Sequence, residues 1–190
     1  MAIKWTDATP AMRLPRLPQQ PSSADGLLPS EAEADADSPA VDVWIAPEVD
    51  RQVIAHLLTR DVEQGGLLVG QAFSEPGSDA ADRVAHVRIT GCAPAEEAQG
   101  TAFSLRMGTE VWQAAQALLG PGDIIVGWYH SHPGLTAFFS DTDRHTQRAF
   151  FNHPYSVGWV VDPHNRDEAL FLGGECIPVG RGLDRLQPPA

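Results

Sequence analysis

Gly127-Trp-Tyr-His-Ser-His-Pro133 follows an apolar, largely β-branched run, Ile124-Ile-Val126, and this run predicts a buried strand. On a strand, His130 and His132 are two residues apart, so their side chains point to the same side of the sheet. Pro133 cannot donate to a sheet ladder, and it ends the strand with both imidazoles at the rim. Two imidazoles on one side of a strand can hold one divalent metal ion.

The second informative stretch is Ser140-Asp-Thr-Asp143, which follows a short loop and opens a predicted helix over residues 141–151. Asp143 lies in the first turn of that helix, where its carboxylate can fold back toward the histidines. Two histidines and one carboxylate, with a fourth position left for water, form a usual donor set for catalytic zinc. Ser-x-x-Asp alone is also an ordinary capping box, so the evidence is the combination of strand, loop and helix start.

This combination resembles the signature of the JAMM (MPN-plus) metalloproteases, H-[ST]-H-P-x(6)-S-x-x-D, without a mismatch. The order of predicted elements is similar to the JAMM domain across roughly residues 44–178. The resemblance implies an α/β fold, a three-layer α/β/α MPN domain with a mixed central sheet and a cytidine-deaminase-like architecture. It also implies one Zn²⁺ per chain, held by His130, His132 and Asp143.

Length and composition fit one domain plus a tail, with 190 residues of which 43% are hydrophobic. No apolar run approaches the ~18 residues of a membrane span, and the N-terminus has no apolar signal region, so we expect a cytoplasmic protein without a membrane partner. Two cysteines exclude a disulfide framework and a thiolate zinc site. The net charge of −12 argues against nucleic acid as a partner and suits a basic protein surface.

The chain divides into three parts by composition. Residues 1–40 contain repeated prolines and many acidic residues, so we predict a disordered N-terminal segment. Residues 41–180 form the predicted JAMM/MPN-plus domain, and residues 181–190 form a C-terminal tail.

Hydrophobic periodicity predicts alternating strands and helices within the domain. This pattern on its own indicates a three-layer α/β/α domain. The predicted strands are 41–45, 65–73, 83–92, 103–107, 124–132, 156–161 and 169–172, and the predicted helices are 47–60, 109–119 and 141–151.

The resemblance adds a glutamate that spacing alone does not identify. In the JAMM family a glutamate precedes a glycine-rich strand after the first helix, and Asp61-Val-Glu-Gln-Gly-Gly66 is similar to that element. From composition alone Glu63 is one of many carboxylates, and Glu75, Glu96, Glu97 and Glu110 compete with it. Glu63 alone stands directly before a Gly-Gly strand, where small residues allow close approach of other chains.

The remaining histidines and both cysteines have structural interpretations. We expect His56 and His86 to be exposed or satisfied by partners, and His145, His153 and His164 to lie away from the metal. Cys92 and Cys176 are expected to be small buried apolar residues.

The expected function is zinc-dependent hydrolysis of an amide bond, with Glu63 as general base and Ser140 as donor to the tetrahedral intermediate. By resemblance, the enzyme is a deubiquitinase-like isopeptidase or peptidase cutting after the C-terminal glycine of a ubiquitin-like protein. Its partners would be ubiquitin-like conjugates and E1- or E2-like proteins of a bacterial conjugation or antiphage system. The alternatives are a metallohydrolase that processes a sulfur-carrier precursor or a small amide, and a non-catalytic MPN scaffold.

Overall fold

A computed structural model describes residues 14–16, 41–75, 83–96, 99–101, 104–106 and 108–186 of the chain. The helices are α1 (Pro47–Leu57), α2 (Thr109–Leu118) and α3 (Asp141–Phe150). The strands are β1 (Asp42–Ile45), β2 (Gly65–Ser74), β3 (Val84–Pro94), β4 (Gln99–Thr101), β5 (Ser104–Arg106), β6 (Ile124–Ser131), β7 (Val157–Asp162), β8 (Asp167–Leu172) and β9 (Ile177–Val179).

Seven strands form one mixed sheet in the order β1-β3-β2-β6-β7-β8-β9. The pairs β1–β3 and β6–β7 are parallel, and the other neighbours are antiparallel. The strand predicted at 103–107 corresponds to β5, which pairs with β4 in a separate two-stranded sheet. The short strand β9 was not predicted, because the flanking Gly173, Gly174 and Gly180 obscure an element of only three residues.

Helices cover both faces of the large sheet, so the predicted α/β fold with a mixed central sheet is confirmed. On one face Val49, Val53 and Leu57 of α1 pack into a core with the inward residues of the strands. On the other face Val111 and Ala115 of α2 join a second core around Trp128. Complete burial of such side chains contributes roughly 1.5–3 kcal/mol each, which is how the apolar faces of the helices hold the layers together.

The sequence explains where the two helices nearest the candidate site begin. Pro47 occupies the first turn of α1, where its missing N–H has no intrahelical partner to lose. At the start of α3, the Ser140 side chain accepts a hydrogen bond from the Asp143 N–H. The Asp143 side chain accepts one from the Ser140 N–H, and the two bonds together form a capping box.

Part of the N-terminal segment packs against the domain. Ser74 N donates to Pro15 O at 3.0 Å, Arg16 forms a parallel bridge with Ser74, and Leu14 lies against the first core. The prediction that residues 1–40 are disordered therefore does not hold for residues 14–16. Hydrophobic periodicity could not predict this contact, because Leu14 is the one aliphatic residue among residues 14–16 and is surrounded by prolines. Residues 1–13 and 17–40 lie outside the described part of the chain.

The C-terminal boundary also extends past residue 180. Gly182 N donates to Val43 O at 2.8 Å, and Arg181 bridges Val43, so the chain after β9 reaches the outer edge of β1. Asp184 forms an ion pair with Arg88 at 3.1 Å. The segment predicted as a tail at 181–190 thus packs against the domain up to residue 186. Hydrophobic periodicity does not predict these contacts, because charged residues make several of them.

Among the described helices, none has the length and apolar character required to cross a membrane.

Candidate metal centre

Strand β6 places the two histidines at one end of the sheet. His130 pairs with Gly65 of β2 on one side and Val160 of β7 on the other. His132 follows the last residue of β6, and its N–H donates to Val161 O at 2.9 Å. Both rings lie on the same side of the sheet as Trp128, as the two-residue spacing predicted, and both are buried.

Helix α3 brings Asp143 to the same place. Asp143 is buried, and its Oδ1 lies 3.2 Å from His130 Nε2 while its Oδ2 lies 3.5 Å from His132 Nε2. One nitrogen from each histidine and one carboxylate oxygen all lie within 4.8 Å of one another. No other group of three or more potential ligands occurs among the described residues.

The polar atoms of this cluster fit a bound metal ion. Both ring nitrogens of His130 are buried and have no hydrogen-bond partner among the described residues, and the His130 Nε2 faces Asp143 without hydrogen-bond geometry. Buried polar atoms without partners are rare and call for an explanation. Two imidazoles and a carboxylate are the donor set that zinc takes in catalytic sites, so the residues present fit this metal.

The ionisation states suit metal binding. Burial lowers the pKa of His130, which outweighs the opposing effect of Asp143 and leaves the neutral ring that a metal requires. Burial alone would raise the pKa of Asp143, but its contacts with the two histidines and Ser140 bring that pKa well below its usual range. The carboxylate is therefore ionised at neutral pH.

Glu63 lies beside this cluster. Its Oε1 is 3.9 Å from His132 Nε2, and the residue is 7% exposed. Burial raises the pKa of Glu63 to about 7, while His132 lowers and Asp143 raises it by smaller amounts. Gly66 allows β2 to pack closely against its neighbours, because a Cβ there would lie 2.3 Å from Ala93 O and 2.8 Å from the Tyr129 hydroxyl.

Ser140 contacts the Asp143 carboxylate at Oδ2, the oxygen that also faces His132. Its hydroxyl donates to Asp143 Oδ2 at 2.7 Å, and its main-chain N–H donates to the same oxygen at 2.8 Å. The Asp143 N–H donates in return to Ser140 Oγ at 3.2 Å. Ser140 therefore orients the carboxylate that faces the histidines.

A buried aspartate that the sequence reading did not identify organises the loop between the two halves of the site. Asp162 is fully buried and accepts hydrogen bonds from the main-chain N–H groups of Gly134 and Thr136, at 3.0 and 2.8 Å. Asn165 donates to it as well. Although burial raises its pKa, these donors lower it further than burial raises it, so Asp162 stays charged. The sequence feature that could have indicated this role is the position of Asp162 between the predicted strand 156–161 and Pro163.

The other histidines lie outside the cluster. His56 contacts the Tyr129 hydroxyl at 2.9 Å, and His164 pairs with Asp61 at 3.1 Å. His86 is buried, and within the described part of the chain neither of its ring nitrogens has a hydrogen-bond partner, so the expectation that it is exposed or satisfied is wrong. Cys92 and Cys176 are buried free thiols, as predicted.

Comparison with known proteins places this fold and site in a family. Residues 47–170 match the model described as prokaryotic homologs of the JAB domain. This chain belongs to that family, which confirms the JAMM/MPN resemblance. The matched residues include His130, His132, Glu63 and the start of α3.

Curated relatives share the domain in part. The NAD(+) hydrolase TcpA of a Theionarchaea archaeon is 36% identical over 106 residues, 55% of this chain and 28% of that protein. The ubiquitin carboxyl-terminal hydrolase RPN11 of Saccharomyces cerevisiae is 31% identical over 96 residues, 47% of this chain and 31% of that protein. A Drosophila melanogaster 26S proteasome non-ATPase regulatory subunit 14 is 28% identical over 185 residues, 87% of this chain and 58% of that protein. The chain thus spans less than a third of the length of the first two relatives.

A solved structure supports the fold independently. The solution structure of protein DSY2949 from Desulfitobacterium hafniense superposes with a TM-score of 0.51 at 20% identity, covering 68% of this chain and 83% of that one.

Proposed function

We propose that this chain is a zinc-dependent amide hydrolase of the JAMM type, with zinc held by His130, His132 and Asp143. The observation that supports this most directly is the convergence of three candidate metal ligands with a fourth residue, the acidic Glu63, whose Oε1 lies 3.9 Å from His132 Nε2. When bound there, zinc supplies a Lewis acid that lowers the pKa of a water molecule from ~15.7 toward ~7. The family membership of residues 47–170 agrees with this chemistry.

Glu63 is the proposed general base and acid. A buried carboxyl with a pKa of about 7 is divided between its two protonation states at neutral pH, so it can accept a proton from water and return it to the leaving amine. Hydrolysis of an unactivated amide needs both transfers, because an amine leaves poorly without a proton.

Ser140 is the proposed donor to the oxyanion. Its hydroxyl rests on Asp143 Oδ2, and rotation about the Cα–Cβ bond would direct it toward a substrate oxygen instead. Asp143 keeps its position during that exchange, because the Ser140 main-chain N–H still donates to the same oxygen. An oxyanion donor of this kind contributes about 3 kcal/mol to the transition state.

The proposed substrate is a protein or peptide whose scissile amide follows the C-terminal glycine of a ubiquitin-like tail. A relative whose name includes ubiquitin carboxyl-terminal hydrolase supports this class. An extended tail pairs readily with strand main chain, and glycine avoids side-chain clashes in a narrow channel. The acidic chain, with a net charge of −12, favours a basic partner surface. Conjugating proteins of the E1 and E2 type in the same bacterial system are the proposed functional partners.

The test of this assignment is a comparison of Glu63→Ala with Glu110→Ala, an exposed glutamate on α2. Glu63→Ala should retain zinc and its melting temperature but lose at least about 100-fold in turnover, the usual scale of general acid–base catalysis. Glu110→Ala should match the wild type in all three measurements. Near-normal turnover by Glu63→Ala would exclude Glu63 as the base.

A further inference from the structure

Each of the two acidic residues at the candidate site is accompanied by a completely buried glutamine. Gln64, next to Glu63, is 1% exposed, and Gln147, one helical turn after Asp143, is 0% exposed. A buried amide is unfavourable unless its donors and acceptor are all paired, so its hydrogen bonds show what it holds in place.

Gln64 joins the end of α1 to the start of β2. Its Nε2 donates to the main-chain oxygens of His56 and Leu57, both at 3.0 Å, and of Arg60 at 3.3 Å. Its Oε1 accepts from Thr59 Oγ1 at 2.8 Å. The end of a helix leaves carbonyls without intrahelical partners, and this one side chain satisfies several of them.

The main chain of Gln64 is fixed from the other side by the residue between the two histidines. Gln64 N donates to Ser131 Oγ at 3.1 Å, and Ser131 N donates to Gln64 O at 2.8 Å. Glu63 therefore lies between the end of α1, which the Gln64 side chain holds, and the Gln64 main chain, which is bonded to Ser131. Its distance from His132 is set by these bonds.

Gln147 joins α3 to the sheet. Its Oε1 accepts from Trp128 Nε1 at 2.6 Å, and its Nε2 donates to Phe151 O at 3.1 Å and Ser156 O at 3.0 Å. Asp143 lies four residues earlier on the same face of α3. The contact with Trp128 therefore holds Asp143 opposite the strand that carries His130.

We propose that these two glutamines are positioning residues with separate tasks: Gln64 positions the base Glu63, and Gln147 positions the metal ligand Asp143. The two sets of hydrogen-bond partners share no residue, so the two tasks are separable by mutation. The proposal rests on the proposed function for the role of Glu63, but its prediction for metal binding does not depend on any substrate.

The experiment compares Gln64→Met and Gln147→Met in the full chain, because methionine keeps the length of glutamine and removes its hydrogen bonds. Zinc affinity is measured by competition with a chromophoric chelator, and turnover is measured at saturating zinc. Gln64→Met should keep zinc affinity within about twofold and lower kcat at least about tenfold. Gln147→Met should weaken zinc binding about 10–100-fold, the usual effect of removing support for a ligand.

A double-mutant comparison tests whether Gln64 acts through Glu63. In a Glu63→Gln background, Gln64→Met should lower the residual turnover no further, because the group that it positions is already inactive. Hydrogen exchange should increase at residues 58–66 in Gln64→Met and remain unchanged at residues 128–150. If Gln64→Met does not fold, Ser131→Ala removes one of the main-chain bonds of Gln64 and should show the same pattern with a smaller loss.

Three results would overturn the proposal. An equal fall of zinc affinity in both methionine variants, or additive losses in the Glu63→Gln background, would mean that the glutamines support the fold in general. Unchanged zinc affinity in Gln147→Met would show that Gln147 does not position Asp143 for metal binding. If the wild type binds zinc and cleaves no amide, the proposed function fails, while the affinity of Gln147→Met and hydrogen exchange in Gln64→Met still decide the structural assignments.

Discussion

Trp128 stacks on His130 within strand β6, with ring centroids 4.4 Å apart and ring planes 8° from parallel. The indole is itself held by its hydrogen bond to Gln147. The imidazole therefore rests on a fixed aromatic surface, which limits its rotation and directs its Nε2 toward Asp143. This relationship connects the apolar core to the candidate metal centre, because Trp128 belongs to both.

Replacement of Trp128 by leucine should therefore weaken zinc binding about tenfold by releasing the His130 ring. Competition with a chelator measures this effect. Trp112→Leu is the matched control, because Trp112 stacks on Phe151 in the same region but does not contact His130. It should lower the melting temperature without changing zinc affinity. Equal zinc affinities for the Trp128→Leu variant and the wild type would show that the stacking does not orient the ligand.

Zinc should bind at one ion per chain, and its binding should depend on His130, His132 and Asp143. His132→Ala removes one of the three ligands that converge in the structure, so elemental analysis should find little zinc in that variant. His145→Ala, on an exposed part of α3, should retain the full amount. Identical zinc contents in the wild type and His132→Ala would contradict the ligand assignment.

The buried His86 should make stability depend on pH. Burial lowers its pKa, despite the opposing effects of Asp184 and Asp42. Between the ordinary pKa of 6.5 and the lower folded value, the unfolded chain binds a proton that the folded chain does not. Stability is therefore complete above pH 6.5 and decreases as the pH falls through the folded pKa.

The measurement is the melting temperature of the wild type and His86→Leu between pH 8 and pH 5. The wild type should lose stability more steeply toward pH 5 than the variant, which has no titrating group at this position. His130 is present in both proteins and cancels from the comparison. Parallel curves would show that His86 is protonated in the folded state as easily as in the unfolded state.

A chain that begins at Ser38 should fold and retain its kcat, because no candidate site residue lies before that point. Its melting temperature should decrease by a few degrees, because the truncation removes the Leu14 contact and the Pro15 hydrogen bond, and a loss of ~1 kcal/mol shifts a domain of this size by roughly 2–4 °C. Leu14→Ala in the full chain serves as the control for that contact. A loss of kcat in the truncated chain would place a functional element before Ser38.

The convergence of the three candidate metal ligands could be predicted from the sequence because each position depends on local geometry. His130 and His132 are two residues apart on an extended chain, so their side chains lie on the same side of the sheet. The capping box at Ser140 places Asp143 in the first turn of α3. The strand between Gly65 and Ser74 was likewise evident from its apolar composition. Periodicity does not encode the order of strands, so the parallel pairing of β6 with β7 emerged only from the fold.

The supporting residues could not be predicted in the same way. Gln64, Gln147 and Asp162 are polar, so a hydropathy pattern assigns them to the surface, whereas all three are buried and hydrogen-bonded to residues of other helices, strands or loops. The C-terminal contacts of Arg181 and Asp184 were missed for the same reason. Buried polar groups become visible only when their hydrogen-bond partners are known.

The proposed activity of this centre is hydrolysis of an amide after a glycine tail with the help of zinc. The most direct measurement is the cleavage rate of a ubiquitin-like protein ending in glycine and fused to a reporter, with the wild type, Glu63→Ala and chelator-treated protein. We predict cleavage after the glycine by the wild type, loss of cleavage with chelator and its recovery on zinc addition, and none by zinc-loaded Glu63→Ala. Cleavage that persists in chelator, or a small amide turned over while every glycine-tailed fusion stays intact, would contradict the account.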